Sequence, residues 1–302
     1  MGIKISLTKK IVIEMKEKII EDLNGKGDMI EIPCSRKYTK NQPIHVCIST
    51  GLVRVKNLRS SKEIAEAWSN EIYGGKFNDK TYTARIPAVK ARQTYVADYI
   101  DTEIGLDNKK ICDIGAGEGQ FFEIISSYGL KTNLFGIEPS KKNCSQLKKN
   151  NYYFFKGTIE DFSKSTQFEK NKFDIVTLMW TLTNSQSCLN MVKVAYDMLK
   201  VGGRIVIAEG SRILVPFKKP LSMYFSEKPA DLNPYFFSSN SIINLLKVSN
   251  FKIENINRYI DSDVLCIIAK KPSNIIKQNY QVDNYVDVLD FFKRWDEETK
   301  FY

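Results

Sequence analysis

The sequence predicts an α/β fold built on a mostly parallel β-sheet. Between residues 109 and 271, short apolar segments alternate with segments whose apolar residues recur at helical spacing. Strands separated by helices form βαβ units, whose sheet is covered by helices on both faces. The first apolar segment runs into the glycines of ICDIGAGEGQ, residues 111–120. A turn at Asp261-Ser262, rather than a helix, joins the last two predicted strands, so one strand runs antiparallel.

The elements of the sheet region follow from apolar segments for strands and from amphipathic spacing with glycine stops for helices. In chain order they are strand KKICDIGAG, helix FFEIISSYG, strand NLFGIEP, helix SKKNCSQLKKN, strands NYYFFKGT and FDIVTLMW, helix SCLNMVKVAYDMLKVGG closed by Gly202-Gly203, strand RIVIAEG, helix SSNSIINLLKVSN, and strands FKIENINRYI and DVLCIIAKK.

The rest of the chain has a different pattern. After a first charged helix, residues 1–58 are strand-like and loop-like, and we assign them to a small amino-terminal subdomain. Residues 59–108 are predicted to be a helical connector that contributes to the functional site. The sheet domain then covers residues 109–272, and an amphipathic helical tail covers residues 273–302.

Composition narrows the class of protein. The net charge is +10, but lysine is spread along the chain without a dense basic block, so a solvated surface explains the charge better than nucleic-acid binding. No apolar segment approaches the roughly 20 residues of a membrane-spanning helix. Lysine and glutamate interrupt the apolar residues of the amino terminus, unlike a signal peptide, and the six cysteines are scattered. We expect a cytoplasmic protein without membrane insertion.

The glycine loop has the spacing G-x-G-x-G, and Asp113 lies two positions before its first glycine, Gly115. A dinucleotide-binding loop has the spacing G-x-G-x-x-G, and a carboxylate beside the turn is poorly placed for a pyrophosphate. The same carboxylate suits a cationic ligand. S-adenosylmethionine carries an ammonium and a sulfonium, and the N–H groups around Gly115 and Gly117 can reach its carboxylate. The loop therefore favours this cofactor.

Two later strand ends carry side chains that suit the nucleoside part of such a ligand. Glu138, in GIEPS, ends the second strand, where a carboxylate can accept from both hydroxyls of a ribose. The segment GTIEDF ends the third strand. Ile159 is placed there to flank an adenine ring, and Glu160 or Asp161 to accept from its exocyclic amine.

The motifs CDIGAGEG, GIEPS, GTIEDF, FDIVTLMWTLTN and LKVGGRIVIAEG resemble, in this order, those of class I S-adenosylmethionine-dependent methyltransferases. The resemblance implies a Rossmann-like sheet of seven strands, mostly parallel, with the last strand antiparallel. The motifs are specific to cofactor binding and leave the acceptor open. The resemblance assigns cofactor contacts to Asp113, Gly115, Gly117, Glu138, Ile159 and Glu160, with Asp161 as the neighbouring choice.

The segment IPCSRKYTKNQPIHVCISTGLV is similar to the zinc ribbons, C-x-x-C…C-x-x-C-G-L-V, at the amino termini of many bacterial methyltransferases that act on sugars and small metabolites. Here Lys37 and Thr50 replace the second cysteine of each pair. Cys34, Cys47 and His45 remain, whereas a structural zinc needs four soft ligands. We interpret the region as a degenerate ribbon in which packing has replaced the metal.

The chemistry of methyl transfer to a hydroxyl or a carbon acid needs a base. The chain's one histidine lies outside the sheet domain, so we expect Glu209, Tyr224 or Asp231 to act as the base. All three lie in or beside residues 210–237, a connection far longer than the usual few residues and rich in proline and aromatic residues. We expect this connection to cover the acceptor, or alternatively to form the contact of a homodimer.

Other contacts are expected from position alone. Trp180 follows the fourth strand, where it either flanks the methyl donor or packs in the core. Asn184 either contacts the substrate or caps the following helix, and we favour the cap. Tyr82 and Arg85, in YGGKFNDKTYTAR, are expected to contact the methionine carboxylate of the cofactor.

The function favoured by these observations is methyl transfer to a small molecule, specifically a nucleotide-linked or surface-polysaccharide sugar in carbohydrate biosynthesis. The sugar part follows from the resemblance of the amino-terminal region and from the long connection. One alternative is an RNA or protein methyltransferase, which the net charge alone favours. The other is a non-catalytic, cofactor-binding partner subunit, which the intact acidic motifs disfavour.

Overall fold

The structure of the protein is a computed structural model that describes residues 2–39, 42–67, 79–210, 212–225, 233–257 and 264–302. For residues 2–9, 67 and 79–86 it describes the backbone alone. Asp231, the turn at Asp261-Ser262 and the side chains of Tyr82 and Arg85 therefore lie outside the described residues.

The chain alternates between helices and strands from residue 110 onward. The helices are α1 (Gly2–Leu23), α2 (Ser61–Ala67), α3 (Asp79–Glu103), α4 (Gln120–Ser127), α5 (Lys141–Lys149), α6 (Ile159–Ser163), α7 (Cys188–Met198), α8 (Leu221–Tyr224), α9 (Ser239–Val248) and α10 (Tyr285–Thr299). The strands are β1 (Met29–Glu31), β2 (Ile44–Cys47), β3 (Val53–Val55), β4 (Lys110–Ile114), β5 (Asn133–Glu138), β6 (Tyr153–Lys156), β7 (Phe173–Met179), β8 (Leu199–Glu209), β9 (Tyr235–Phe236), β10 (Lys252–Ile256) and β11 (Leu265–Lys270). Short 3-10 helices cover Pro33–Lys37 and Leu182–Asn184. No helix in the described part of the chain combines the length and the apolar character that crossing a membrane requires.

The larger sheet has seven strands in the order β10-β11-β8-β7-β4-β5-β6. Strands β4 to β8 are parallel, and β11 lies antiparallel between β8 and β10. Alternate residues of β4 enter opposite cores, because Cys112 and Ile114 pack with α7 and α9 while Ile111 packs with α3 and α4. The predicted Rossmann-like, mostly parallel sheet is confirmed.

The end of α7 differs from the prediction. Gly202-Gly203 does not close this helix, because α7 ends at Met198 and both glycines lie inside β8. The last carbonyls of the helix are satisfied by a buried ammonium instead. Lys271 Nζ donates to the oxygens of Tyr196 and Leu199, at 2.8 and 2.7 Å. A lysine distant in sequence thus does what a glycine turn was expected to do.

A second, smaller sheet contains β1, β2, β3 and β9, all antiparallel. Its last strand, β9, comes from the connection after β8. Helix α10 packs across the sheet through Phe292 and Trp295. Residues of the predicted amino-terminal subdomain, sheet domain and helical tail therefore share one core. The buried side chains of this core include Ile32, Val46, Val53, Leu221, Phe225, Phe236 and Phe292.

Arg54 connects the small sheet to α1. Its side chain is buried, with 2% exposed, and Nη1 donates to the carbonyl oxygens of Asp22 and Leu23 at 3.2 and 3.3 Å. These carbonyls belong to the last turn of α1, whose final C=O groups have no partner within the helix. The guanidinium also lies 5.5 Å from the ring centre of Tyr235 in β9. One cation thus caps a helix and supports the last strand of the sheet.

The residues left from the ribbon motif lie apart. Cys34 packs in the small-sheet core, where its Sγ donates to the Phe292 carbonyl at 3.8 Å, whereas Cys47 packs in the core of the large sheet. His45 Nδ1 lies 3.0 Å from the Pro43 carbonyl, and burial lowers the pKa of this imidazole. Across the described residues, no three metal-binding side chains form a group.

We predict that Arg54→Met lowers the free energy of unfolding by about 3 kcal/mol, because the variant leaves buried carbonyl oxygens without their charged donor. Urea denaturation measures this loss. Arg36→Met is the matched control, because Arg36 is an exposed arginine that pairs with Glu31 at the surface, and it is expected to change stability little. Equal losses in the two variants would contradict the role given to Arg54.

Candidate active site

A cavity of about 340 Å³ opens where β4, β5 and β7 end. The connections that follow these parallel strands run in opposite directions there, because β5 lies on one side of β4 and β7 on the other. The cavity is lined by the strand ends at residues 114–118, 137–139 and 157–160, by α2 and α3, and by residues 179–186.

The glycine loop adopts backbone conformations that other residues rarely reach. Gly115 and Gly117 have φ of +79° and +58°. A Cβ on Gly115 would lie 2.4 Å from Thr181 Oγ1, so the loop touches the segment after β7 directly. A Cβ on Gly117 would have no neighbour closer than 3.9 Å, so this residue leaves open space on the cavity side.

Asp113 lies beneath the loop and does not line the cavity. Its side chain is 2% exposed, and Oδ1 accepts from Thr177 Oγ1 on the neighbouring strand at 2.6 Å. Burial raises the pKa of Asp113 to about 7, with a smaller contribution from the charge of Glu138. Asp113 is therefore not in a position to make the direct contact with a ligand that the sequence predicted. The carboxyl braces the strand below the loop.

Glu138, unlike Asp113, reaches the cavity. Oε2 accepts from the Gly117 N–H at 2.8 Å, and Oε1 accepts from the Ser140 N–H at 2.7 Å. Burial raises the pKa of Glu138 to about 7, and these two N–H groups oppose that rise. Each carboxylate oxygen accepts more than one hydrogen bond, so the arrangement can hold the loop and two hydroxyl groups of a ligand together.

The structure separates the two acidic residues of GTIEDF. Asp161 completes a capping box at the start of α6, where Oδ2 accepts from the Thr158 N–H at 3.0 Å and Thr158 Oγ1 accepts from the Asp161 N–H at 3.2 Å. Glu160 lines the cavity beside Ile159, and its Oε1 is buried without a hydrogen-bond partner among the described residues. Glu160 is therefore the group placed to accept from a ligand.

Glu209 supports the segment after β7 from below. It is 1% exposed, and its Oε1 accepts from the N–H groups of Leu182 and Thr183 at 2.8 and 3.3 Å. Burial raises the pKa of Glu209 to about 8. Glu209 does not line the cavity, so the structure makes it a brace for the loop rather than a group in reach of an acceptor.

Asn184 is not the cap of the following helix. Ser187 caps α7, with its Oγ accepting from the Asn190 N–H at 3.2 Å. Asn184 lines the cavity instead, and its Nδ2 donates to the carbonyl of Trp180 at 3.1 Å. The Asn184 side chain therefore stabilises the turn after β7, and Ser187, three positions before Asn190, takes the cap.

The structure does not bring Tyr224 to the cavity. Its ring is 4% exposed, lies 4.5 Å from the ring centre of Trp295, and packs in the small-sheet core. Burial raises the pKa of this phenol. The apolar spacing of Leu221, Tyr224 and Phe225 places all three on one face of the chain, which the small sheet covers. Much of the long connection after β8 is thus core, not a cover over the acceptor.

Several cavity residues escaped sequence analysis. Arg92 and Gln93 lie on α3 and line the cavity, and the Arg92 guanidinium lies 4.9 Å from the indole centre of Trp180. The helical connector was expected to reach the site, but nothing in its periodicity distinguishes these polar residues from those of a solvated face. Glu118 and Gln186 also line the cavity.

Comparisons with known proteins agree with this fold. The family described as "Methyltransferase domain" matches residues 112–207, about a third of the chain. The demethylmenaquinone methyltransferase of Lactococcus lactis is 26% identical over 190 residues, which cover 60% of this chain and 74% of that protein. The tRNA U34 carboxymethyltransferase of Desulfotalea psychrophila is 24% identical over 200 residues, but the match covers only 56% of its length and 61% of this chain.

A solved structure has the same fold. The 1,6-didemethyltoxoflavin-N1-methyltransferase of Burkholderia thailandensis, with bound S-adenosylhomocysteine, superposes with a TM-score of 0.53 at 12% identity, over 77% of this chain and 96% of that one. Fold, strand-end residues and family match define a Rossmann-like methyltransferase domain. This domain is of the class I S-adenosylmethionine-dependent type, and S-adenosylmethionine is its cofactor. The similarity of residues 32–53 to zinc ribbons stays a prediction.

We predict that Gly115→Ala weakens S-adenosylmethionine binding by at least about tenfold, because the added Cβ displaces Thr181 and with it the loop. Isothermal titration calorimetry measures the affinity. Gly129→Ala is the matched control: its φ of +70° carries the same backbone penalty, but nothing lies within 4 Å of the added Cβ. Normal binding by the Gly115 variant would show that the loop tolerates a wider separation from Thr181.

A second prediction concerns pH. Burial raises the folded pKa of Glu209 to about 8, above the ordinary 4.5, so between these values the folded protein holds a proton that the unfolded chain has lost. Stability therefore falls as pH rises through this window. Glu209→Gln removes that contribution. From pH 5 to pH 8, the difference in unfolding free energy between variant and wild type should therefore change by about 2–4 kcal/mol in favour of the variant. Urea denaturation at both pH values tests this; a pH-independent difference would contradict it.

Proposed function

We propose that the protein transfers the methyl group of S-adenosylmethionine to a small molecule, and specifically to a nucleotide-linked or surface-polysaccharide sugar. The observation that carries the proposal is the cavity at the strand ends. Strand-end residues suited to the cofactor line it together with α2, α3 and the segment after β7, and its volume of about 340 Å³ is of small-molecule size.

The residues present fit the cofactor. Glu138 is proposed to accept from the ribose hydroxyls, Glu160 from the adenine amine, and Ile159 to flank the adenine ring. The backbone at Gly115 and Gly117 is proposed to lie against the methionine part, although the N–H groups of both glycines donate within the protein, to Ile137 and Glu138. The buried, unpartnered Oε1 of Glu160 and the open space at Gly117 support this fit. When bound, the cofactor supplies an electrophilic methyl group on a sulfonium.

The chain itself contributes position and the exclusion of water. Met179 and Trp180, at the end of β7, line the cavity and are proposed to flank the reacting centre. In-line approach at short range supplies much of the rate enhancement of such a transfer. For an acceptor hydroxyl we keep Asp231 as the proposed base, because Glu209 and Tyr224 lie away from the cavity. Tyr82 and Arg85 stay proposed contacts of the cofactor carboxylate.

The main rival is an RNA or protein methyltransferase. The net charge of +10 favours it, and one relative is named for tRNA while another is named for a small molecule. A non-catalytic partner subunit is the third possibility. The cavity volume of about 340 Å³ supports a small acceptor over a polymer. A cytoplasmic location and a homodimer contact through the long connection belong to the same proposal.

We predict that the protein binds S-adenosylmethionine and methylates members of a panel of nucleotide sugars, and that bulk RNA stays unlabelled. Calorimetry followed by transfer of isotope-labelled methyl groups measures both. Glu138→Ala is the control variant, expected to lose cofactor affinity and labelling together. Labelled RNA with unlabelled sugars would overturn the sugar proposal and keep the methyltransferase. Binding without transfer to either substrate would favour the partner-subunit alternative.

A further inference from the structure

Asn143, in the first turn of α5, is a deeply buried amide that lines the cavity. It is 1% exposed. Its backbone N–H donates to Ser140 Oγ at 3.4 Å, the hydrogen bond that caps the start of α5. Because α5 begins directly after β5, this cap holds Asn143 close to Glu138 at the end of that strand.

The neighbouring carboxyl group fixes the orientation of the Asn143 amide. A hydrogen bond from the Asn143 side chain to Glu138 helps to oppose the rise in the pKa of Glu138 that burial causes. Only Nδ2 of the amide can donate, so Nδ2 faces Glu138 and Oδ1 faces away from it. Oδ1 is buried and has no hydrogen-bond partner among the described residues. Since buried polar atoms are nearly always paired, this oxygen indicates a donor on a ligand.

Glu138 has little acceptor capacity left for a ligand. An ionised carboxylate offers about four acceptor sites. The N–H groups of Gly117 and Ser140 occupy two of them, and the Asn143 side chain occupies a third. About one site remains, whereas the two adjacent hydroxyl groups of a ribose each have a proton to donate. One hydroxyl therefore needs a different acceptor, and Asn143 Oδ1 is an unused one held beside Glu138.

We propose that Asn143 is a cofactor-specificity residue, whose Oδ1 accepts from one ribose hydroxyl of S-adenosylmethionine while Glu138 accepts from the other. The same amide orients Glu138 through Nδ2. This inference rests on the contact proposed between Glu138 and the ribose, and it narrows that contact from two hydroxyls to one. It does not depend on the methyl acceptor. A site that pairs each hydroxyl with its own buried acceptor rejects nucleosides that lack either one.

The test titrates the full-length protein in a calorimeter with S-adenosylhomocysteine and with its 2′-deoxy and 3′-deoxy forms. In the wild type, each deoxy form is expected to bind at least about tenfold more weakly, because a buried acceptor is left unpaired. In Asn143→Leu, one deoxy form should bind as well as S-adenosylhomocysteine itself, since the acceptor for that hydroxyl is gone. The other deoxy form should keep its full penalty through Glu138. Asn143→Ala repeats the comparison without the bulk of leucine and is expected to give the same pattern.

Asn244→Leu is the matched control. Asn244, on α9, is also buried, its Nδ2 donates to the Gln281 carbonyl at 2.8 Å, and its Oδ1 has no partner among the described residues. It does not line the cavity, so its loss is expected to leave all three affinities unchanged. Asn143→Asp keeps Oδ1 and loses the donor to Glu138. It is expected to bind S-adenosylhomocysteine more weakly than the wild type and still to distinguish both deoxy forms.

Three results would overturn the inference: a deoxy form that binds the wild type as tightly as S-adenosylhomocysteine, an Asn143→Leu variant that keeps both penalties or loses both, or an Asn244→Leu variant with the same losses. Failure of the proposed function looks different, because it is read from the transfer assay. A wild type that methylates nucleotide sugars while Asn143→Leu keeps both penalties retains the function and removes this inference. A wild type that labels RNA and no sugar, with the expected pattern of affinities, retains the inference and removes the sugar proposal.

Discussion

Three carboxyl groups, those of Asp113, Glu138 and Glu209, are buried where the parallel strands end, and the site depends on how each is stabilised. Burial opposes ionisation and raises all three pKa values. Each group therefore needs donors close by, and finds them in the Thr177 hydroxyl, in the N–H groups of Gly117 and Ser140, and in those of Leu182 and Thr183. Satisfying these carboxyls fixes the loops that carry the donors.

The glycine loop and the segment after β7 are thus positioned by side chains that come from neighbouring strands. Glu138 holds Gly117, Glu209 holds Leu182, and Thr181 packs on Gly115. These contacts connect the residues proposed to hold the cofactor with Trp180, which lines the same cavity. A network of this kind is stiff, since removing one acceptor leaves buried N–H groups unpaired. It favours a preformed cavity over one that assembles around its ligand.

Sequence analysis predicted the part of the site that is local in the chain. Gly115, Glu138 and Glu160 could be found because each directly follows an apolar strand, and parallel strands align their ends. Arg92 could not, because only tertiary packing shows which face of α3 meets the cavity. Gly202-Gly203 was mistaken for a helix stop because Lys271, far along the chain, satisfies those carbonyls. The pairing of β9 with β3 joins segments too distant for any periodicity to reveal.

That pairing also sets an order of events during synthesis. The first three strands of the small sheet leave the ribosome early, but β9 and α10, which complete their core, follow only near residues 235 and 285. The nascent amino-terminal strands must therefore wait, with apolar faces uncovered, until almost the whole chain is made. Long-range closure of this kind slows folding and exposes strand edges to misassociation.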